Sequence, residues 1–232
     1  MTLFNVFRFD PEKDDAPRYE TYEVETSPSM RILDCLNLIR EEHDPGLSFR
    51  YSCGHGICGS CGMTLNGLAS LGCQKLVKHY DRFPEIKVEP LGFFPVVKDL
   101  VVDMEPFFER MRSIHPENWG QINPVEVSKQ LQQSPEEHGR IVEAIKCIMC
   151  GSCTAQCPVV REENPDFIGP AAVLRAKRYI FDTRMNDVSQ REEIVGAKNG
   201  VWSCDTKWLC TRVCPKGINV TQNILDLKAA LK

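Results

Sequence analysis

The chain has 232 residues, with 28 basic and 32 acidic side chains and a formal net charge of −4 at pH 7. That length buries a real core and allows one or two domains, while the charge excludes a general grip on nucleic acid, which needs a basic surface. The richest apolar run, LGFFPVVKDLVV, is broken by Lys98 and Asp99 and is too short to cross a membrane, and the opening MTLFNVFRFDPEKDD lacks the basic head and long apolar run of a secretion signal.

Residues 1–105 read as strands with one helix. LFNVFRF and YETYEVE are apolar or alternating runs separated by the charged turn DPEKDDAP, which predicts a hairpin. MRILDCLNLIREEHD places Ile32, Leu33, Leu36, Leu38 and Ile39 at near-helical spacing. Short strands are expected near Met63–Leu65 and Ile86–Pro90. One helix against a small mixed sheet, with a cysteine loop after the helix, predicts a β-grasp ferredoxin arrangement. Residues 106–232 read as helical. A short helix is expected at FFERMRSIH. SPEEHGRIVEAIK opens with a capping box of Ser134 and Glu137. GPAAVLRAKRYIFDTR carries Pro170 in its first turn. NVTQNILDLKAALK has Asn219 as its N-cap. The expected class is α+β: a β-grasp domain over 1–105, then an all-α ferredoxin-like domain over 106–232.

Twelve cysteines are far above ordinary usage, and without a secretion signal they point to metal or redox work rather than disulfides. Cys53, Cys58 and Cys61, followed by Cys73, have the plant-type spacing of a 2Fe–2S site. Gly54, Gly56, Gly59 and Gly62 are expected to let backbone N–H groups approach the sulfurs. His55 lies in this loop, but four thiolates already fill the site, so it reads as a surface residue. Cys35, on the apolar face of the first helix, reads as core.

Cys147, Cys150, Cys153 and Cys157, followed by Pro158, form the bacterial ferredoxin run. Cys204, Cys210, Cys214 and Pro215 repeat it with Lys207 in place of one cysteine. In two-cluster ferredoxins the fourth cysteine of each run ligates the other cluster. That rule assigns Cys147, Cys150, Cys153 and Cys214 to a 4Fe–4S cluster, and leaves Cys157, Cys204 and Cys210 as a three-thiolate set. A protonated lysine has no lone pair for iron, so the second set holds either a 3Fe–4S cluster or a four-iron cluster whose fourth iron is bound by water or another group, and the three-iron form is favoured. The competing possibility, structural zinc, fits poorly with seven ligands for two sites.

Over essentially its whole length the chain resembles the iron–sulfur subunit of the succinate dehydrogenase and fumarate reductase (complex II) family. The resemblance is carried by RYSCGHGICGSCGM, CIMCGSCTAQCP, NPDFIGPAAVLRAKRY and CTRVCPKGIN. It implies the same three cysteine sets, and single-electron relay between the FAD of a flavoprotein subunit and a membrane quinone. It also implies membrane-anchor subunits with or without haem b, and a peripheral place on the cytoplasmic side of the cell membrane. A related expectation keeps electron transfer but replaces the quinone with a soluble partner, as in soluble fumarate reductases. Two family features are missing. Many ubiquinone-reducing members carry a tryptophan pair shortly after the proline of the first run and a histidine after the first cysteine of the second, whereas here Pro158 is followed by VVREENPDF and Cys204 by Asp205. A menaquinone-linked enzyme is therefore expected, with Pro158, Trp202, Lys207 and Trp208 near the quinone. Core packing is the competing expectation for the two tryptophans.

Overall fold

The computed structural model describes residues 1–116, 130–185 and 187–232. It divides into two compact units, the first Met1–Met104 with Ile148–Gln156, the second Glu105–Cys147 with Cys157–Lys232. The stretch Ile148–Gln156, which sequence order places in the second half, thus packs with the first.

The first unit is a five-stranded mixed sheet. β1 (Thr2–Arg8) and β2 (Arg18–Val24) form the expected antiparallel hairpin, with Phe4 opposite Tyr22. β3 (Gly62–Leu65) and β4 (Leu68–Leu71) form a second hairpin, and β5 (Ile86–Glu89) runs parallel to β1 and antiparallel to β3. The sheet order is β2-β1-β5-β3-β4. β6 (Val96–Lys98) and β7 (Val101–Val102) make a separate two-stranded ribbon. The expected helix is shorter than its sequence pattern: α1 covers Ile32–Leu38 and continues as a π-turn over Ile39–His43. Its buried face, Ile32, Leu33, Cys35, Leu36 and Ile39, packs with Phe4, Val6, Met63, Leu65, Ile86 and Val88. Cys35 is fully buried, and burial pushes its thiol up to about 12, so it belongs to the core as expected.

Strand alternation brings a charge into this core. Phe4 and Val6 point inward, and two residues on so does Arg8, only 6% exposed. Its guanidinium Nε donates to Asp99 Oδ1 at 3.0 Å and its Nη1 to Tyr22 Oη at 2.9 Å and Glu20 Oε2 at 3.2 Å; Asp44 pairs with the same nitrogen. Asp99, itself nearly fully buried, also accepts N–H bonds from Phe9 and Ser48.

In the second unit, α2 covers Glu105–Arg112, α3 Pro135–Ile145, α5 Gly169–Ile180, α6 Ser189–Gly196 and α8 Val220–Ala230; the one-turn helices α4 (Ser152–Ala155, in the first unit) and α7 (Leu209–Arg212) lie within the cysteine runs. The capping box on α3 forms as expected: Glu137 N–H donates to Ser134 Oγ at 3.2 Å, and Ser134 N–H to the Glu137 carboxylate at 2.8 Å. Asn219 Oδ1 accepts from Gln222 N–H and caps α8. α5 packs against α3 and α8, and its Ala171, Ala172, Leu174 and Ala176 are buried. Its buried Lys177 donates to Asn223 Oδ1 at 2.8 Å and Asp226 Oδ2 at 2.7 Å.

Candidate metal centres

The loop between α1 and β3 turns three times through the left-handed region, at Gly54 (φ 70°), Gly56 (φ 73°) and Gly59 (φ 76°). Side-chain-bearing residues adopt that conformation only at a cost. The turns aim backbone N–H groups at sulfur. Those of His55, Ile57 and Cys58 donate to Cys53 Sγ at 3.5, 3.4 and 3.3 Å, and Cys53 N–H donates to Cys58 Sγ at 3.5 Å. Ser60 Oγ donates to Cys58 Sγ at 3.1 Å. Led by the bond from His55, the amides of His55, Cys58 and Ile57 lower the Cys53 thiol to about 6, favouring its thiolate form. Cys61 and Cys73 are buried beside one another, and burial raises Cys61 to about 12. One end of the set is therefore solvated and amide-rich and the other is dry. His55 is exposed, as expected.

Gly62 has a different task from the one expected. It opens β3 without a left-handed turn, and its Cα faces the carbonyl oxygen of Cys150, where an added Cβ would stand 3.4 Å away. Gly59 is tighter: a Cβ there would lie 2.8 Å from Cys150 Cβ and 3.0 Å from its Cα. Within the first unit, the plant-type loop and the backbone of Cys150 are thus in contact through two glycines. Gly59→Ala combines a left-handed backbone with a backbone clash, and we expect it to destabilise the protein by about 2–4 kcal/mol and to lower its iron content. Calorimetry and iron determination check this; a variant that melts and loads like the wild type would refute it.

In the second unit, Cys157, Cys204 and Cys210 are near enough to influence one another's thiols. The Cys157 thiol is raised to about 11, first by burial and then by the neighbouring Cys210 and Cys204, against N–H donors from Val160 and Val159. Those donors belong to the π-turn Val159–Glu163, which begins after Pro158. Cys210 lies in α7, and Cys204 follows a 3₁₀ turn over Val201–Ser203, its carbonyl accepting from Lys228 Nζ at 2.7 Å. Cys147 follows α3, its N–H donating to the Ala144 carbonyl, and Cys214 ends α7. Among the described residues, no group of three or more His, Cys, Asp or Glu side chains is placed to hold a single metal ion.

The second run copies the backbone of the first. Met149 (φ 55°) and Gly151 (φ 77°) flank Cys150, and Thr206 (φ 59°) and Trp208 (φ 61°) flank Lys207 in the same left-handed conformation. Gly151 precedes α4 and Trp208 precedes α7, and each carbonyl accepts from the N–H four residues on, that of Ala155 or Arg212. A tryptophan in this region is strained, yet the geometry is kept. Lys207 is half exposed, its ammonium 3.8 Å from the Asp205 carboxylate. Trp202 and Trp208 are 42% and 45% exposed, so neither is core packing. Trp202 Nε1 donates to the Gly196 carbonyl.

No described helix is long and apolar enough to cross a membrane. Residues 3–109 match the family model of a 2Fe-2S iron-sulfur cluster binding domain, and residues 143–218 that of a 4Fe-4S dicluster domain. The chain is 38% identical over 224 residues to the fumarate reductase iron-sulfur subunit of Haemophilus influenzae, covering 92% of this chain and 86% of that protein. It is 34% identical over 231 residues to the succinate dehydrogenase iron-sulfur subunit of Coxiella burnetii, covering 98% and 96%. Among solved structures, a chain of the Mycobacterium smegmatis Sdh1 complex in the apo form matches with a TM-score of 0.87 at 27% identity, over 99% of this chain and 95% of that one.

Proposed function

Because the chain belongs to the family of iron–sulfur subunits of fumarate reductase and succinate dehydrogenase, we propose that its cysteines divide into three ligand sets forming one electron path. As a subunit of these oxidoreductases it transfers electrons, using a 2Fe–2S and a 4Fe–4S site. In the proposed division, Cys53, Cys58, Cys61 and Cys73 hold the 2Fe–2S cluster, and Cys147, Cys150, Cys153 and Cys214 the 4Fe–4S cluster. Cys157, Cys204 and Cys210 hold a 3Fe–4S cluster. The third assignment is supported by the mutual influence of those three thiols and by Lys207, which stands between left-handed residues as Cys150 does in the first run.

When bound, the clusters supply one-electron oxidation and reduction. The chain's own residues do the rest. The amides of His55, Ile57 and Cys58 stabilise thiolate charge at the solvated end of the first set. Val159 and Val160 do so at Cys157. The dry surroundings of Cys61, Cys73 and Cys210 exclude water. The donor and acceptor lie on partners: a flavoprotein subunit whose FAD exchanges electrons with succinate and fumarate, and a membrane quinone reached through anchor subunits with or without haem b. The subunit then sits peripherally on the cytoplasmic face of the cell membrane. The exposed Trp202 and Trp208, with Pro158 and Lys207, are the proposed surroundings of the quinone, for which menaquinone is the favoured species.

The test is electron paramagnetic resonance of the air-oxidised complex before and after succinate. Oxidised 2Fe–2S and 4Fe–4S clusters are silent, whereas an oxidised 3Fe–4S cluster has one unpaired spin. A signal in the oxidised complex that succinate bleaches is expected. Iron without any such signal would overturn the three-thiolate assignment, and a signal indifferent to succinate would overturn the succinate-oxidising partner.

A further inference from the structure

Cys210 is the terminus of a chain of hydroxyl groups. The Thr221 N–H donates to Thr211 Oγ1 at 2.9 Å, Thr211 Oγ1 lies 2.9 Å from Thr221 Oγ1, and Thr221 Oγ1 lies 3.2 Å from Cys210 Sγ. Thr221 is fully buried and Cys210 is 8% exposed, so water does not compete for the bond between them. In the free thiol either partner of the last contact donates. A thiolate bound to iron only accepts, and that fixes the proton of Thr221; the Thr211 hydroxyl is 2.9 Å from Thr221 Oγ1 and 3.4 Å from its other acceptor, Asn219 Oδ1. Thr221 must give its hydroxyl proton to sulfur. Its oxygen is then an acceptor for Thr211, whose own oxygen accepts the Thr221 N–H. Two residues on α7 and α8 thus form a one-way relay of donors ending on the ligand sulfur.

We propose that Thr211 and Thr221 are positioning residues that raise the reduction potential of the cluster held by Cys157, Cys204 and Cys210. The inference rests on the three-thiolate reading above. One electron added to a cluster increases the negative charge on its sulfurs, so a hydrogen bond aimed at one of them is stronger in the reduced state and favours it. Burial magnifies the difference, because no solvent rearranges to replace the donor. Thr211 adds to the effect by polarising the Thr221 hydroxyl, as linked hydrogen bonds do. The relay assists the last site of the chain in accepting an electron without adding a charge to the protein.

The experiment is a redox titration of the oxidised-cluster signal in the intact complex, for the wild type and for Thr221→Val, Thr221→Ser and Thr211→Val. At a fixed solution potential, Thr221→Val is expected to lower the reduced-to-oxidised ratio of this cluster by about five- to tenfold, the scale on which part of a charge-assisted hydrogen bond is lost. Thr221→Ser keeps the hydroxyl and is expected to titrate like the wild type. Thr211→Val is expected to fall between them, with the 2Fe–2S titration unmoved in all. If Thr221→Val titrates like the wild type, or Thr221→Ser falls as far as valine, the hydroxyl has no tuning role and the inference fails alone. If the oxidised wild type carries no such signal, the three-thiolate reading fails and this inference with it.

Discussion

Removal of the Arg8 side chain is expected to be among the most damaging single changes in the protein. Arg8→Ala should cost about 3–5 kcal/mol, the scale for stripping one partner from a buried ion network. The reason is its place on the inward face of β1, among Asp99, Glu20 and Asp44. Without the guanidinium, three carboxylates face one another in a poorly solvated pocket, and Tyr22 loses a donor. Arg8→Lys keeps a charge but not the planar fork that reaches several acceptors at once, and an intermediate loss follows. The effect is pH-dependent. Burial pushes the Glu20 carboxyl up, but bonds from Tyr22 and Arg18 and the charge of Arg8 hold it below its ordinary value. A depressed carboxyl contributes stability that is present at neutral pH and lost as the pH falls through its folded-state pKa. The deficit of Arg8→Ala should therefore be greatest near neutrality and narrow in acid. Urea unfolding followed by circular dichroism at several pH values measures both; a loss under about 1 kcal/mol at neutral pH would place the network among ion pairs of little consequence.

The second large effect is chemical. On the proposed ligand division, Lys207→Cys is expected to supply a fourth thiolate and convert the three-iron cluster to a four-iron form, raising the iron content by about one atom per chain and removing the signal of the oxidised cluster. Equivalent sequence position alone would be a weak warrant. The stronger one is the left-handed pair on either side, Thr206 and Trp208 matching Met149 and Gly151, which sets residue 207 between the same turns as residue 150. Holding Trp208 there costs about 1–2 kcal/mol, so the turn is imposed by its surroundings and should survive a change at 207. A variant that folds, binds the other two clusters and gains no iron would show that a thiol at 207 does not reach the site.

Much of this was legible in the sequence. The β1–β2 hairpin showed in two patterned runs and a charged turn, and the α3 cap in Ser134 and Glu137. The matches to a 2Fe-2S domain and a 4Fe-4S dicluster domain were legible in the spacing of the cysteine runs. β4 was missed although its signal was present: Asn66 and Gly67, both with positive φ, separate Met63–Leu65 from Leu68–Leu71 in the two-residue manner that favours hairpins. The one-turn helices α4 and α7 are too short to leave a periodic pattern. The left-handed Trp208 runs against its own preference, and only surroundings assembled from distant residues impose it. The Thr211–Thr221 relay joins two helices through hydroxyls with no repeat to mark them.

The discontinuity of the first unit has a consequence for biosynthesis. A nascent chain that has left the ribosome as far as residue 104 holds every strand of the sheet but not the segment that finishes it. Ala69 on the edge strand β4 waits for the side chain of Gln156 to accept its N–H, and Leu91, Phe94 and Met104 wait for Gly151 to close over them. That segment carries Cys150 and Cys153. Translation therefore delivers the closing piece of the amino-terminal fold together with two cysteines of the second run, so the first unit is complete only after residue 156 has emerged.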